Sequence, residues 1–430
     1  MSEYNDEFIK FPKDWEVRKL KDVIIKAKSG GTPRTNVPEY WNGNIPFVKA
    51  QDITKSSKYL YNTEEFITEK GLENSNAWIV PENSLLLTIY GSIGFVAINK
   101  IPVTTNQAIV GIIPNKNIID TEFLYYWYLY FKPYWSKFIK KSTQPNLTLE
   151  IVLNSSVPIP PLEEQKKIVE ILNTVDTIII DTTNLIEKLK ILKEKTLNLL
   201  ITGKIWHKEF KDTEIGKIPK NWEIVKLEEI AIDIYRYPTY YNIKYVGMNE
   251  GVPEVRAELI KENGELEDDL SKYRFISKET SKRFYRTILN EGDFVLSVRG
   301  TLGKVAIVPK FLEGANITAN LMKISLNRLR CYPPFFKQFF LSDFFKKNLD
   351  NISSQTTIKT IQASKLKSIK IPLPPLEEQK KIAEILSTID NKIETETKYL
   401  DYMKKLKEKL LAALMTGKIR VNSIAIGDLK

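Results

Sequence analysis

Two stretches of the chain place apolar residues in alternating steps of three and four. The first runs through Ile168, Ile171, Val175, Ile178, Thr182, Leu185, Leu189, Leu192, Thr196 and Leu199. The second runs through Ile382, Ile385, Ile389, Lys392, Glu396, Tyr399, Met403, Leu406, Leu410 and Ala413, so two charged residues interrupt it. Such spacing predicts a helical seam. Each stretch opens on a pair of prolines, Pro160-Pro161 or Pro374-Pro375, followed by "LEEQ", and closes on Gly203 or Gly417. Proline suits a first helical turn, acids suit the positive end of the dipole, and glycine caps the other end. About 40 residues lie between these marks, or ~60 Å of helix. Helix propensity is weakest at "DTIIIDTTN", where any bend belongs. Two helices with matching seams most simply pack on each other.

The matching extends beyond the helices. "PIPPLEEQKKIVEILNTVD" begins at Pro158 and "PLPPLEEQKKIAEILSTID" at Pro372, 214 residues later. "PKDWEVRKL" at Pro12 returns as "PKNWEIVKL" at Pro219, and "LTIYGSIGFVAI" around Gly91 returns as "LSVRGTLGKVAI" around Gly300. The offset grows from 207 to 214 in one direction only, so the chain is a duplication with small insertions in its second half. No residue is gained or lost between the helical stretches. The regions before them keep landmarks and diverge between them, as "KSGGTPRTNVPEYWNGNI" and "DIYRYPTYYNIKYVGMNEGV" illustrate. One module has a fixed length and the other a variable face. Equal length is what a spacer needs.

Each variable region alternates short apolar runs with turn signals. "NSLLLTIYGSIGFVAI" reads as strand, glycine turn and strand, while "TEFLYYWYLYF" and "PPFFKQFFLSDFF" read as buried aromatic helices. The fold class expected is therefore α+β, with two mixed α/β domains and two long helices. Aromatic, basic and amide residues interleave on the loops: Lys28, Arg34, Tyr40, Trp41, Lys49 and Gln51 in the first region, Tyr235, Arg236, Tyr240, Arg256 and Arg299 in the second. Basic and amide side chains read base edges, and tight glycines let backbone N–H groups approach phosphate.

Charge agrees with that chemistry. The net charge is +11, which suits a polyanionic partner. A single cysteine, Cys331, allows neither an internal disulfide nor a zinc cluster, as in a reducing cytoplasm. No apolar run approaches the ~20 residues of a membrane span. Chemical motifs are absent or fail. "CYPPFF" at Cys331 superficially resembles the Pro-Pro loop of adenine methyltransferases, but Tyr332 stands where an amide or carboxylate is required. "TGK" at Thr202 and Thr416 lacks the upstream glycine of a phosphate loop. The single histidine, His207, has no partner at metal-ligand spacing and reads as exposed and idle. The chain reads as non-catalytic, and a self-sufficient DNA methyltransferase or nuclease is the disfavoured enzyme reading.

The whole pattern resembles the specificity subunit of type I restriction–modification systems, over roughly Pro12 to Arg420. The doubled "PPLEEQ" helix ending in "TGKI" carries the resemblance, with "SGGTPRTNVPEYWNGNIPFVKAQDI", "TTNQAI" and "STQPNL". It implies two target recognition domains joined by two antiparallel helices forming a coiled-coil spacer with pseudo-twofold symmetry. On that reading the recognition domains are 1–157 and 206–371, the helices 158–205 and 372–420, and 421–430 a tail. The framework segments then add Thr32, Tyr90, Ser92, Gln107, Gln144 and Asn146 as DNA-contact candidates in the first domain. Thr301, Lys304, Asn320, Gln355 and Lys359 join them in the second. The resemblance implies double-stranded DNA as ligand and two adenine methyltransferase subunits carrying S-adenosylmethionine as partners. It also implies motor-nuclease subunits using ATP and Mg, with no cofactor or metal on this chain. The runner-up is the specificity chain of a related system that cuts on both sides of its bipartite site, which the sequence does not separate from the first reading.

Overall fold

The computed structural model describes residues 10–138, 146–237, 239–353 and 359–421; Gln144 and Gln355 lie outside the described residues. The chain divides into one unit of Met1–Thr183 with Tyr399–Lys430, and another of Asn184–Lys398. The division cuts both long helices near their middles, so each unit holds one variable domain, the first half of the helix that follows it, and the last half of the other helix.

In the first unit the apolar runs pair into a five-stranded sheet. Its order is Ile24–Ser29, Ile109–Pro114, Leu85–Thr88, Val96–Asn99 and Tyr59–Leu60. All four residues of Leu85–Thr88 are buried, as expected of a central strand covered on both faces. A smaller sheet orders Glu65–Ile67, Trp41–Val48 and Thr104–Thr105. The aromatic helix Thr121–Phe131 starts where the Asp120 carboxylate accepts from the N–H groups of Glu122 and Phe123. It fills the core with Phe123, Tyr126, Trp127 and Phe131. Finally Glu16–Lys19 pairs with Ser156–Ile159, tying the start of the domain to the residues that lead into the helix.

The second unit repeats this construction. A sheet ordered Ala231–Tyr235, Leu321–Leu326, Phe294–Ser297 and Val305–Ile307 stands beside one ordered Tyr245–Val246, Arg274–Ser277, Gly251–Val255 and Asn316–Ile317. Glu223–Lys226 pairs with Lys370–Leu373, again just before a long helix. "PPFFKQFFLSDFF" forms two helices, Pro333–Leu341 and Asp343–Ile352, because Ser342 ends one and caps the next by accepting from the Phe345 N–H. Its two prolines are thus a helix start, and the neighbouring Cys331 is buried, its thiol pushed up to about 12 by desolvation.

The long helices are Leu162–Ile201 and Leu376–Met415, 40 residues each and continuous through "DTIIIDTTN". Within each unit their halves run antiparallel. Ile168 and Leu172 pack with Leu411, Leu414 and Met415 in the first unit, and Ile382 and Leu386 with Leu197, Leu200 and Ile201 in the second. Asp176 pairs with Lys407 at 2.5 Å, and Asp390 with Lys193 at 2.7 Å. The seam differs in register from the heptad expectation. Leu185, Leu192, Leu199, Ile385 and Tyr399 are exposed, while Leu172, Ile186, Leu197 and Leu200, and in the repeat Leu386, Leu400, Leu411 and Leu414, are buried. A straight helix has 3.6 residues per turn, so a stripe facing one direction drifts one residue away from a strict heptad over this length.

Candidate nucleic-acid interface

Antiparallel pairing brings alternate strand ends to one edge of each main sheet. Ser29 lies opposite Val110, and Thr88 opposite Ile109, so the strands Ile24–Ser29 and Leu85–Thr88 end where Ile109–Pro114 begins. At this edge Gly30 donates to the Ile109 carbonyl and Gly31 to the Thr105 carbonyl. A Cβ on Gly30 would lie 2.0 Å from the Thr105 oxygen, so only glycine permits that approach. The loop continues into exposed Thr32, whose hydroxyl donates to the Gln107 side chain. The turn Tyr90-Gly91-Ser92 stands beside it, with Gly91 at φ +69° in open space. Tyr90 bridges to Asn146 through the main chain, and its hydroxyl accepts from the Asn146 amide at 3.1 Å. The smaller sheet ends here too: Val48 pairs with Thr105, and its carbonyl accepts from Asn106, so Lys49 and Gln51 follow directly. Thr32, Lys49, Tyr90, Ser92, Gln107 and Asn146 therefore come from turns at one edge, and Gln51 from the first turn of the short helix Ala50–Lys55 beside them.

The second unit builds the same edge from other side chains. Ser297 pairs with Leu321, and Val298 donates to the Asn320 carbonyl. Arg236 reaches across to the Ala319 carbonyl at 3.0 Å. Desolvation, and behind it the charge of Arg299, hold its pKa below the ordinary arginine value. Arg299 opens the turn at Gly300, φ +79°, and bridges Thr360 beside exposed Lys359. Thr301 and Lys304 line a cavity of about 350 Å³ with Lys261, Lys346 and Asp350. Arg236, Arg299, Lys304 and Lys359 make the edge one that attracts an anion, although Glu262 and Asp350 also line the cavity.

Several candidates, Lys49 of that edge among them, already have partners within the fold. Lys49 is paired with Glu65, while Arg256 pairs with Glu258 and donates to the Lys272 carbonyl at 3.0 Å. Trp41 packs edge-on against Phe47 and donates to the Arg34 carbonyl, leaving the Arg34 side chain exposed. Tyr40 sits in the turn Pro38–Tyr40, with its backbone against Gly71. Tyr240 is packed on Phe284 with its hydroxyl on Thr287, and Tyr235 lies under the Arg286 guanidinium at 3.6 Å. Lys28 is exposed on its strand, opposite Gly111.

The sequence reading missed the residues that fix each domain to its helix. Glu164, Gln165 and Gln379 of the two "LEEQ" segments are buried, and Glu378 is partly buried. Glu164 accepts from the Trp15 indole at 3.1 Å and from Arg420 at 2.8 Å. Gln165 donates to the Pro160 and Ile118 carbonyls and accepts from the Asp120 N–H. In the repeat Glu378 accepts from Trp222 at 3.0 Å, and Gln379 bonds Pro374, Arg330 and Tyr332 in the same way. His207 is not idle: its ring lies edge-on to Trp222 and 2.7 Å from Glu378, in the place of Arg420. Only Glu163 and Glu377 remain as solvated first-turn acids, each paired to a lysine. The signal was present in the duplicated "PKxW", whose tryptophan needs a buried acceptor.

Comparison with known proteins names this architecture. A sheet edge of variable polar turns followed by a long helix is present twice. The type I restriction modification DNA specificity domain matches residues 12–191 and again 219–404, so the chain belongs to that family and is a DNA sequence-specificity subunit. The MjaVIII specificity subunit of Methanocaldococcus jannaschii is 31% identical over 97% of this chain and 95% of its own length. The EcoBI specificity subunit of Escherichia coli is 25% identical over 79% of this chain and 71% of its own. Among solved structures, the type I restriction–modification S subunit from M. genitalium superposes with a TM-score of 0.55 at 16% identity, over 96% of this chain and 98% of that one. A chain from a structural study of type I system assembly and conformational transition reaches 0.60 at 17%, over 95% and 100%. At such identities the structures attest the fold alone. Among the described residues no helix is long and apolar enough to cross a membrane, and no group of His, Cys, Asp and Glu is placed to hold a metal.

Proposed function

We propose that the two sheet edges each read one half of a bipartite DNA target and that the paired helices set the gap. One observation carries the reading: the same glycine turn is built twice, with Tyr90, Thr32 and Gln107 on one edge and Arg299, Arg236 and Asn320 on the other. A change of side chains on an unchanged frame is what reading two different sequences requires. The chain works in the cytoplasm as the non-catalytic member of a complex. Two adenine methyltransferase subunits bring S-adenosylmethionine, and motor-nuclease subunits bring ATP and Mg. The reaction belongs to those partners, and this chain supplies address and distance.

The test uses the purified chain and the chain reconstituted with its methyltransferase partner. Alone it should neither methylate nor cut DNA; with the partner, adenine methylation should appear at one bipartite sequence. Turnover by the chain alone, absent from a mock purification, overturns the assignment of roles. Methylated adenines mapped to a continuous site, with no gap, overturn the division of labour between the domains.

A further inference from the structure

Each domain is fixed to its own helix at two separated places. At the root stand Glu164 and Gln165, or Glu378 and Gln379, already described. About three turns further along, the Tyr126 hydroxyl lies 2.7 Å from both Asn173 and the Asp176 carboxylate. The corresponding place in the second unit has the Gln338 amide donating to Asp390 at 2.6 Å. One contact leaves a pivot; two define a direction.

The two side anchors are unequal. In the first unit Lys58, Glu122 and Asn173 join Tyr126 and Asp176 in one network, with Lys58 2.7 Å from Glu122 and Asn173 donating to Glu122 at 2.8 Å. In the second, Ser387 stands where the repeat has Asn173, and the buried Gln338 carbonyl oxygen has no hydrogen-bond partner among the described residues. The second domain is the more compliantly mounted.

We propose that Tyr126 and Gln338 are positioning residues for gap reading: they hold the angle at which each domain leaves its helix. That angle sets how sharply the complex tells the right spacing from one base pair more or less. The inference rests on the bipartite reading above. Leverage explains why small contacts matter. A domain of ~150 residues offers a lever of about 20 Å, so a tilt of roughly 10° displaces its reading edge by about one base-pair rise, ~3.4 Å.

The experiment uses the complex reconstituted with methyltransferase partners. Methylation is measured on targets with the native gap and with the gap one base pair shorter or longer. Tyr126→Phe and Gln338→Met remove the anchoring bonds and keep side-chain size. Each should raise the ratio of off-gap to native-gap methylation about fivefold, the factor that the ~1 kcal/mol of one hydrogen bond corresponds to. Gln338→Met should show the larger change, and both half-site sequences should stay as they are. Tyr128→Phe is the control, since its hydroxyl bonds Ser155 within the domain. It should leave the ratio unchanged. A drop at all gaps alike, an unaltered ratio, or an equal shift with Tyr128→Phe overturns the proposal. Indifference of the native complex to gap length is a different failure, visible before any substitution, and removes the bipartite reading together with this one.

Discussion

At the scale of single residues, the reading edge separates side chains used by the fold from side chains left over for a ligand. Arg299 is exposed, and on the proposed reading it belongs to the second kind. Its structural contribution, the bridge to Thr360, runs through the main chain, so truncating the side chain leaves the turn intact. Arg299→Ala should therefore relax recognition of one half-site by about 1–3 kcal/mol if the guanidinium reads a base edge. Binding selections over randomised half-sites measure this. A uniform weakening over all sequences would make it a phosphate contact instead, and no change at all would strike it from the interface. Arg256 is the opposite case: held by Glu258 and the Lys272 carbonyl, it already has its partners. Loop composition alone could not separate the two, because both are arginines beside a turn. What distinguishes them is which carboxylates and carbonyls the fold brings near, and that depends on contacts far away in sequence. For the same reason Glu164 and Glu378 read as solvated first-turn acids, while their real environment is a buried tryptophan N–H.

At the scale of elements, what is periodic was legible and what is relational was not. The existence and near-equal length of the long helices were readable, since proline pairs and glycine stops are local signals, but the expected spans 158–205 and 372–420 start four residues early, on strand residues that precede Leu162 and Leu376. Their buried stripe was readable only approximately, because a 3.5-residue template and a 3.6-residue helix part company after a few turns. The cross-links between helix and domain were invisible to periodicity, yet they give the first unit a titratable anchor. Burial works against the Glu122 charge, but hydrogen bonds from Lys58, Tyr59 and Asn173 outweigh it and hold the carboxyl below its ordinary value. A lowered folded pKa means that the ionised network stabilises the fold above the ordinary glutamate range, about pH 4.3. That contribution disappears as pH falls through the folded value. Melting curves of the native chain and Glu122→Gln should differ at neutral pH and converge under acid. A constant difference from pH 7 to 3 would show that Glu122 contributes packing and no charge.

At the scale of the molecule, the proposed reading makes two halves with the same construction and unequal side chains a reader of asymmetric sequence. The distance it reads should then follow helix length and not the loops. The number of residues from Asp176 to Lys193 equals that from Asp390 to Lys407, so the spans between the cross-linking residues match in the two helices. Any change of length that keeps them matched should preserve both cross-links. Inserting one helical turn, about four residues, after Asn184 and after Lys398 adds ~6 Å along the axis. Base pairs rise ~3.4 Å each, so the preferred gap should grow by one or two base pairs. The added turn shifts the stripe only slightly, since four residues exceed one turn of 3.6 by a small angle. Half-site sequences should be untouched, because every residue of both reading edges stays in its own domain. Mapping methylated adenines genome-wide in cells carrying the lengthened subunit reads the gap and the half-sites together. A new half-site with the old gap would mean that the helices contact bases or partners and do not measure distance.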